Sequence, residues 1–206
     1  MSSIIDKLRA DSKSLHSQDR HVLVKDFEVI ETIAFPKSGS KITPRNDYRD
    51  FQFQAYSPFA FNNFRRHLYG IDASSFLASL CSTPMIEFGN PGKSGSIFYK
   101  TKDDHFVCKT VSHKEATFLQ KLLAGYWMNL TQNPKTYLPK FYGLYGYSSH
   151  MTNVRIVVMN NLLPSNIEIK PTFDLKGSTF ERTASALERA KDHPVYKDLD
   201  FLEMYP

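Results

Sequence analysis

The chain has 206 residues, 41% hydrophobic and 23% charged. That balance predicts a folded chain of one large domain or two small lobes and excludes an intrinsically disordered one. The formal net charge is +5 and the pI about 9.1, which suits a phosphate-bearing partner and equally a solvated basic surface. Cys81 and Cys108 lie in no metal-ligand spacing, and their apolar surroundings read as those of two buried thiols. The N-terminal stretch MSSIIDKLRADSKS has no apolar signal segment, and no run reaches membrane-spanning length. The expectation is therefore a soluble, intracellular chain that meets a membrane only from its surface.

In chain order, residues 1–23 read as a polar, partly disordered extension with Ile4, Ile5 and Leu8 hinting at a short helix. FEVIETIAF (Phe27–Phe35) predicts a strand, KSGSKITPRND a loop, and DYRDFQFQAYSP a half-buried strand with alternating Phe51, Phe53 and Ala55. Pro58 and Gly70 bracket an amphipathic helix whose FRRH segment (Phe64–His67) reads as a solvated basic face, ahead of a rest for anionic lipid or a partner chain, and Asp72 caps a second short helix. Strands follow at Ile86–Phe88, Ser96–Lys100 and Phe106–Val111. The clearest helix begins at Ser112, which forms a capping box with Glu115. Leu119, Leu122, Leu123, Tyr126, Trp127 and Leu130 make its apolar stripe. Two neighbouring strands, PKFYGLYGYS and NVRIVVMNNLLP, precede a last strand, PTFDLKGST, and a short helix, ASALERAKDH. The order predicts an α+β fold, an antiparallel sheet covered by one long helix.

Two stretches carry chemistry. In GNPGKSGS, glycines and serines (Gly92, Ser94, Gly95, Ser96) let backbone N–H groups approach phosphate oxygens, although most such turns merely connect strands. One hairpin downstream, alternation places Lys109 between Val107 and Val111 on a face expected to be partly buried. An ammonium there needs an anion or a route to water. Glu115 is placed to orient Lys109 or to serve only the capping box, and the pattern leaves both readings open. The combination has the logic of a kinase nucleotide site.

The second stretch is FDLKGSTFER (Phe173–Arg182). Asp174 and Lys176 share a strand face, and Gly177, Ser178, Thr179 and Arg182 follow, as an anion site or as an exposed turn with a surface ion pair. Asp103 and Asp104 read as ordinary turn acids, and the two acids of KDLD (Lys197–Asp200) as solvated. His67, His113 and His150 have no partners at ligand spacing, and no metal site is assigned. The chain lacks a clustered basic helix or stacking motif for nucleic acid.

SGSIFY, FVCKTVSHKEATFLQKLLAGYWMNLTQNPKTYLPKFYGLYGY, VRIVVMNNLLP and FDLKGSTFERTAS together resemble the phosphatidylinositol phosphate kinase family, and HKEATFLQKLL and YWMNLTQNP its type I members. The resemblance runs from about Val24 to Met204. It implies a kinase domain over residues 24–206, incomplete at its C-terminus: a kinase-like N-terminal lobe and the start of a C-terminal lobe. It further implies transfer of the ATP γ-phosphate to the 5-hydroxyl of phosphatidylinositol 4-phosphate. Ser94, Gly95 and Ser96 then cover the ATP phosphates and Lys109 binds nucleotide. Met159, Asn160, Asn161 and Leu162 line the adenine hinge. Lys176 lies near the transferred phosphate as a catalytic residue, and Arg182 near the lipid head group.

The resemblance also implies magnesium with ligands beyond this chain, side-to-side homodimers through Phe27–Phe64, and a cytoplasmic protein peripheral at the plasma membrane. Two departures stand out. Glu181 and Thr183 flank Arg182 where relatives are more basic, and the later MDYSLL-like motif that supplies catalytic acid is not in these residues. The 206 residues are therefore expected to be inactive alone. The alternative reading is a non-catalytic phosphoinositide-binding or dimerisation module.

Overall fold

The computed structural model describes residues 20–88, 95–168 and 171–206. The chain divides into two compact units, with the boundary between Leu162 and Leu163.

The first unit is α+β, as expected. Its strands are β1 (Ile30–Phe35), β2 (Phe51–Tyr56), β3 (Ile86–Phe88), β4 (Phe98–Lys100), β5 (Phe106–Val111), β6 (Phe141–Ser149) and β7 (Asn153–Asn160). They form one seven-stranded sheet in the order β1-β2-β6-β7-β5-β4-β3, every neighbouring pair antiparallel. Helix α1 (Pro58–Asn63) runs on as a π-helical turn over Phe64–Leu68; α2 spans Ala73–Cys81 and α3 His113–Gln132. Asp72 caps α2 by accepting the N–H groups of Ser74 and Ser75 at 2.8 and 2.9 Å.

Both faces of the sheet are covered. On one, Ala116, Leu119, Leu123, Tyr126 and Leu130 of α3 pack with Phe61, Phe64, Leu144 and Val157. On the other, Phe76 and Leu80 of α2 meet Phe106, Cys108, Tyr142 and Val158. The long covering helix expected from the sequence is α3, and α2 covers the opposite face. A strand buried on both faces reads as a continuous apolar run, which explains Ile156–Met159.

Several boundaries shift for local reasons. The strand expected from Phe27 begins at Ile30. Val24–Phe27 instead forms a 3₁₀ turn, held by Asp26, which accepts the Leu23 N–H at 2.7 Å and pairs with Arg20 at 2.6 Å. Leu122 falls off the α3 stripe and is 45% exposed. Arg66 and His67 are exposed, as expected of FRRH, but the π turn swings Arg65 inward. Its guanidinium donates to the Tyr142 carbonyl at 2.6 Å and stacks over Phe76. Cys108 is buried, as expected, whereas Cys81 is half-buried.

The register gives the sheet two distinct ends. Phe35 pairs with Phe51, Phe51 with Ser149, Ser148 with Asn153, and Arg155 with Val111. The β1–β2 loop, the β6–β7 turn and the start of α3 therefore share one end, together with Ile97, whose carbonyl accepts the Thr110 N–H at 3.0 Å. Asn160, paired with Phe106, marks the opposite end.

The second unit holds β8 (Thr172–Phe173) and β9 (Val195–Tyr196), paired in parallel, with helices α4 (Ala186–Arg189) and α5 (Asp198–Met204). Phe173, Tyr196, Phe201 and Tyr205 form its aromatic cluster, with Phe173 to Phe201 centroids 5.2 Å apart. The long last strand expected at PTFDLKGST is cut to two residues, because Asp198 draws the backbone after Phe173 into a turn.

Candidate active site

Lys109 sits mid-strand in β5, between Phe98 of β4 and Val157 of β7. Val157 belongs to the core beneath α3, and Val111 and Met159 pack against that core. The lysine thus lies on the α3 side of the sheet, as alternation predicts. Its side chain is 25% exposed, and its Nζ lies 3.4 Å from Glu115 Oε1.

Glu115 does two jobs. Its Oε2 accepts the Ser112 N–H at 2.7 Å, and its own N–H is accepted by Ser112 Oγ at 3.2 Å. The capping box and the lysine contact coexist, one carboxylate oxygen for each. The Ser112 N–H, more than Lys109, holds the Glu115 carboxyl below its usual range. Glu115 is half exposed, so the ion pair is worth no more than about 1 kcal/mol. The ammonium is thereby oriented without being fully neutralised.

The described end of the glycine turn, Gly95 and Ser96, leads into Ile97, which is hydrogen-bonded to Thr110. Ser94 lies outside the described residues. Gly95 has φ +65°, a left-handed backbone that favours glycine, and a Cβ there would meet nothing within 4 Å. Ser96 is buried, and the Ile97 N–H donates to Thr110 Oγ1 at 2.8 Å, tying the turn to the residue after Lys109. Thr110 went unremarked in the sequence; as the polar neighbour of Lys109 it was its own signal.

The expected hinge residues sit at the opposite end of the sheet. Met159 is half-buried beside Val107. Asn160 accepts the Lys140 N–H on its Oδ1 at 2.8 Å. Asn161 donates from Nδ2 to the Asp104 carbonyl and carboxylate at 3.0 and 3.1 Å, while its N–H donates to the His105 carbonyl. Leu162 is 54% exposed. Asp104 is thus more than an ordinary turn acid: at φ +62° it fastens the β4–β5 turn to the end of β7 and also pairs with Lys100 at 2.9 Å.

In the second unit, Lys176 Nζ lies 2.6 Å from Asp174, and its side chain is 61% exposed. Arg182 is more enclosed. Its Nε donates to Asp198 Oδ2 at 2.7 Å and its Nη2 to the Asp174 carbonyl. Asp198 and Asp200, expected to be solvated, are buried. Asp198 Oδ1 accepts the N–H groups of Lys176, Gly177 and Ser178 at 2.9, 2.8 and 3.4 Å. Asp200 accepts the N–H groups of Ala184 and Lys197 at 2.8 and 2.9 Å and is paired with Arg189. The backbone donors of DLKGST do form an anion nest, aided by Gly177 at φ +67°, but the anion in it is the protein's own carboxylate. Arg182 and these N–H groups hold the Asp198 carboxyl far below its ordinary range.

With this geometry in hand, relatives decide the family. The sequence profile described as "Phosphatidylinositol-4-phosphate 5-Kinase" matches residues 79–205. The chain belongs to the phosphatidylinositol-4-phosphate 5-kinase family. It is 57% identical over 185 residues, 90% of its length, to phosphatidylinositol 4-phosphate 5-kinase type-1 beta of Gallus gallus. It is 56% identical over 188 residues to the type-1 alpha protein of Rattus norvegicus, and 56% identical over 187 residues to the type-1 sktl protein of Drosophila melanogaster. It covers 91% of its own length in each of the last two alignments. The chain spans about a third of the length of the chicken and rat relatives and 24% of the fly one. Kinase families use ATP. Among the described residues no helix is long and apolar enough to cross a membrane.

Proposed function

We propose that this chain supplies the ATP-binding part of a phosphatidylinositol 4-phosphate 5-kinase. The observation that carries it is Lys109, a cation on a covered sheet face whose one carboxylate contact among the described residues, at 3.4 Å, is with a group that also caps α3. Lys109 holds the nucleotide phosphates, Glu115 orients it, and Ser94, Gly95 and Ser96 close over them. Met159, Asn160, Asn161 and Leu162 line the adenine. In the reaction, the lipid 5-hydroxyl forms a bond to the γ-phosphorus as the bond to ADP breaks, and the hydroxyl proton leaves to a base. Lys176, with most of its side chain in solvent, stabilises charge on the transferring phosphoryl, and Arg182 meets the head group.

Among the described residues no group of three or more His, Cys, Asp or Glu could hold a metal ion. Magnesium at a nucleotide site needs only one or two carboxylates beside the phosphates, and its ligands are proposed to come from the remaining two thirds of the kinase. The protein acts at the cytoplasmic face of the plasma membrane, and edge strand β1, with Glu31, Thr32 and Ala34 exposed, is the surface through which copies pair.

The test is affinity labelling with an acyl-phosphate derivative of ATP, which acylates a lysine held beside the phosphates. Labelling concentrated on Lys109 and blocked by excess ATP is expected. Labelling spread over Lys102, Lys114 and Lys121 and indifferent to ATP would overturn the assignment. Turnover separates this reading from the alternative, a non-catalytic phosphoinositide-binding or dimerisation module.

A further inference from the structure

The β4–β5 turn, residues 101–105, is braced from within. Thr101 is buried; its Oγ1 accepts the Phe106 N–H at 3.1 Å and donates to Asp103 Oδ1 at 2.6 Å. The Thr101 N–H donates to the Phe106 carbonyl at 3.0 Å, and the Asp104 N–H to the Thr101 carbonyl at 2.9 Å. The turn sets Asp104 at φ +62°, a left-handed backbone that costs most side chains and that aspartate and asparagine tolerate best after glycine. The Asp104 side chain is largely enclosed, and Lys100 Nζ lies 2.9 Å from its Oδ1.

What this braced turn holds is the end of β7. The paired register of β7 stops at Asn160 against β5 and at Met159 against β6. Asn160 is tied toward β6: its N–H donates to the Lys140 carbonyl at 3.0 Å, and its Oδ1 accepts the Lys140 N–H at 2.8 Å. Asn161 is tied the opposite way, toward the β4–β5 turn. Its N–H donates to the His105 carbonyl at 2.9 Å, and its Nδ2 donates to both the carbonyl and Oδ1 of Asp104, at 3.0 and 3.1 Å. Both of those acceptors come from one residue whose backbone the turn has already fixed. A segment fixed before its ligand arrives loses less freedom on binding, which strengthens the complex.

We propose that Asp104 is a positioning residue for the adenine of ATP: by holding the Asn161 side chain it keeps Met159–Leu162 in the form that receives the base. The inference rests on the nucleotide-site reading of Lys109 and goes beyond it, because it names what sets the shape of the adenine segment. Lys109 serves the phosphates from mid-strand, whereas Asp104 acts at the far end of the sheet, so the two contributions separate in experiment.

The experiment is labelling of Lys109 in the 206-residue chain by the acyl-phosphate derivative of ATP, competed by ATP and, separately, by inorganic tripolyphosphate, which has phosphates and no base. Asp104→Gly suits the left-handed backbone and removes the carboxylate. It is expected to raise the ATP concentration that halves labelling about tenfold, the scale of one hydrogen bond to a charged group. The tripolyphosphate concentration that halves labelling is expected to stay as in the native chain. Asn161→Asp, which sets two carboxylates against each other, is expected to give the same split. Asp104→Asn keeps a side-chain acceptor and loses the Lys100 ion pair, and is expected to stay within about threefold of the native chain. The inference is overturned if ATP protects Asp104→Gly and Asn161→Asp as it protects the native chain. It is equally overturned if both variants lose ATP and tripolyphosphate protection alike, as a loosened fold would, or if Asp104→Asn loses as much as Asp104→Gly. ATP that fails to block labelling of the native chain would instead refute the nucleotide-site reading, and this inference with it.

Discussion

Glu115 serves Lys109 and Ser112 at once, with one carboxylate oxygen 3.4 Å from the ammonium and the other 2.7 Å from the N–H that opens α3. The start of the helix and the orientation of the lysine are therefore set by a single side chain. Glu115→Gln keeps an acceptor for Ser112 and removes the charge. It is expected to cost less than about 1 kcal/mol of stability while weakening protection of Lys109 from labelling by ATP several-fold. Unchanged ATP protection would reduce Glu115 to a cap.

The turn after β8 in the second unit is expected to loosen in acid. Asp198 has its folded pKa depressed below the ordinary 3.8, chiefly by Arg182, and Asp174 is depressed chiefly by Lys176. Depressed carboxylates contribute stability that is complete above their unfolded pKa and is lost as pH falls through the folded value. Amide exchange at Lys176, Gly177 and Ser178 is therefore expected to stay slow above about pH 4 and to lose protection below it. Asp198→Asn, which keeps one acceptor and removes the charge, is expected to reproduce that loss at neutral pH. Protection that persists in the variant would show that the loop does not depend on this carboxylate.

Much of this architecture could be read from residue patterns, and the exceptions share a cause. Alternation in HFVCKTV placed Lys109 correctly, and Ser112 with Glu115 announced α3, because period and cap chemistry are local. Arg65, Asp104, Asp198 and Asp200 depart from the solvated or ordinary turn roles their local pattern predicts because their partners lie far away in sequence: Tyr142 for Arg65, Asn161 for Asp104, Lys176 and Arg182 for Asp198, Ala184 for Asp200. A polar residue in a short segment looks solvated until the fold brings it a partner. DLKGST did signal an anion site, but the anion that fills it comes from the KDLD segment.

The two cysteines are expected to behave differently. Burial pushes the Cys108 thiol up to about 12, whereas Cys81 is half-buried at the end of α2. At pH 8, titration with an aromatic disulfide reagent is expected to show one slow thiol and one that reacts only on unfolding. The thiolate is the nucleophile, so a raised pKa and enclosure act together. Two equal rates would contradict the packing of Cys108 against Phe76 and Val158.

Lys176 and Arg182 are expected to separate kinetically in a chimera where this chain replaces the matching third of the chicken type-1 beta protein. Arg182→Ala is expected to raise the KM for lipid about thirtyfold, the scale of a lost charge-assisted phosphate contact, with little change in the KM for ATP. Lys176→Ala is expected to lower kcat at saturating lipid, because a cation beside the transferring phosphoryl acts mainly in the transition state. If Arg182→Ala leaves the lipid dependence unaltered, its role is confined to holding Asp198 and Asp174.

The most direct measurement is turnover of phosphatidylinositol 4-phosphate by that chimera with and without Lys109→Met. The variant keeps the length of the side chain on the α3 face of the sheet and removes its charge. The account predicts that the chimera makes phosphatidylinositol 4,5-bisphosphate. It also predicts that Lys109→Met lowers kcat by about a thousandfold or more, as expected for removal of an electrostatic stabiliser of the transferred phosphate, with an unchanged melting temperature. A Lys109→Met chimera that turns over at near-native rate with the same dependence on ATP would contradict it and leave Lys109 a lysine at the rim of a sheet.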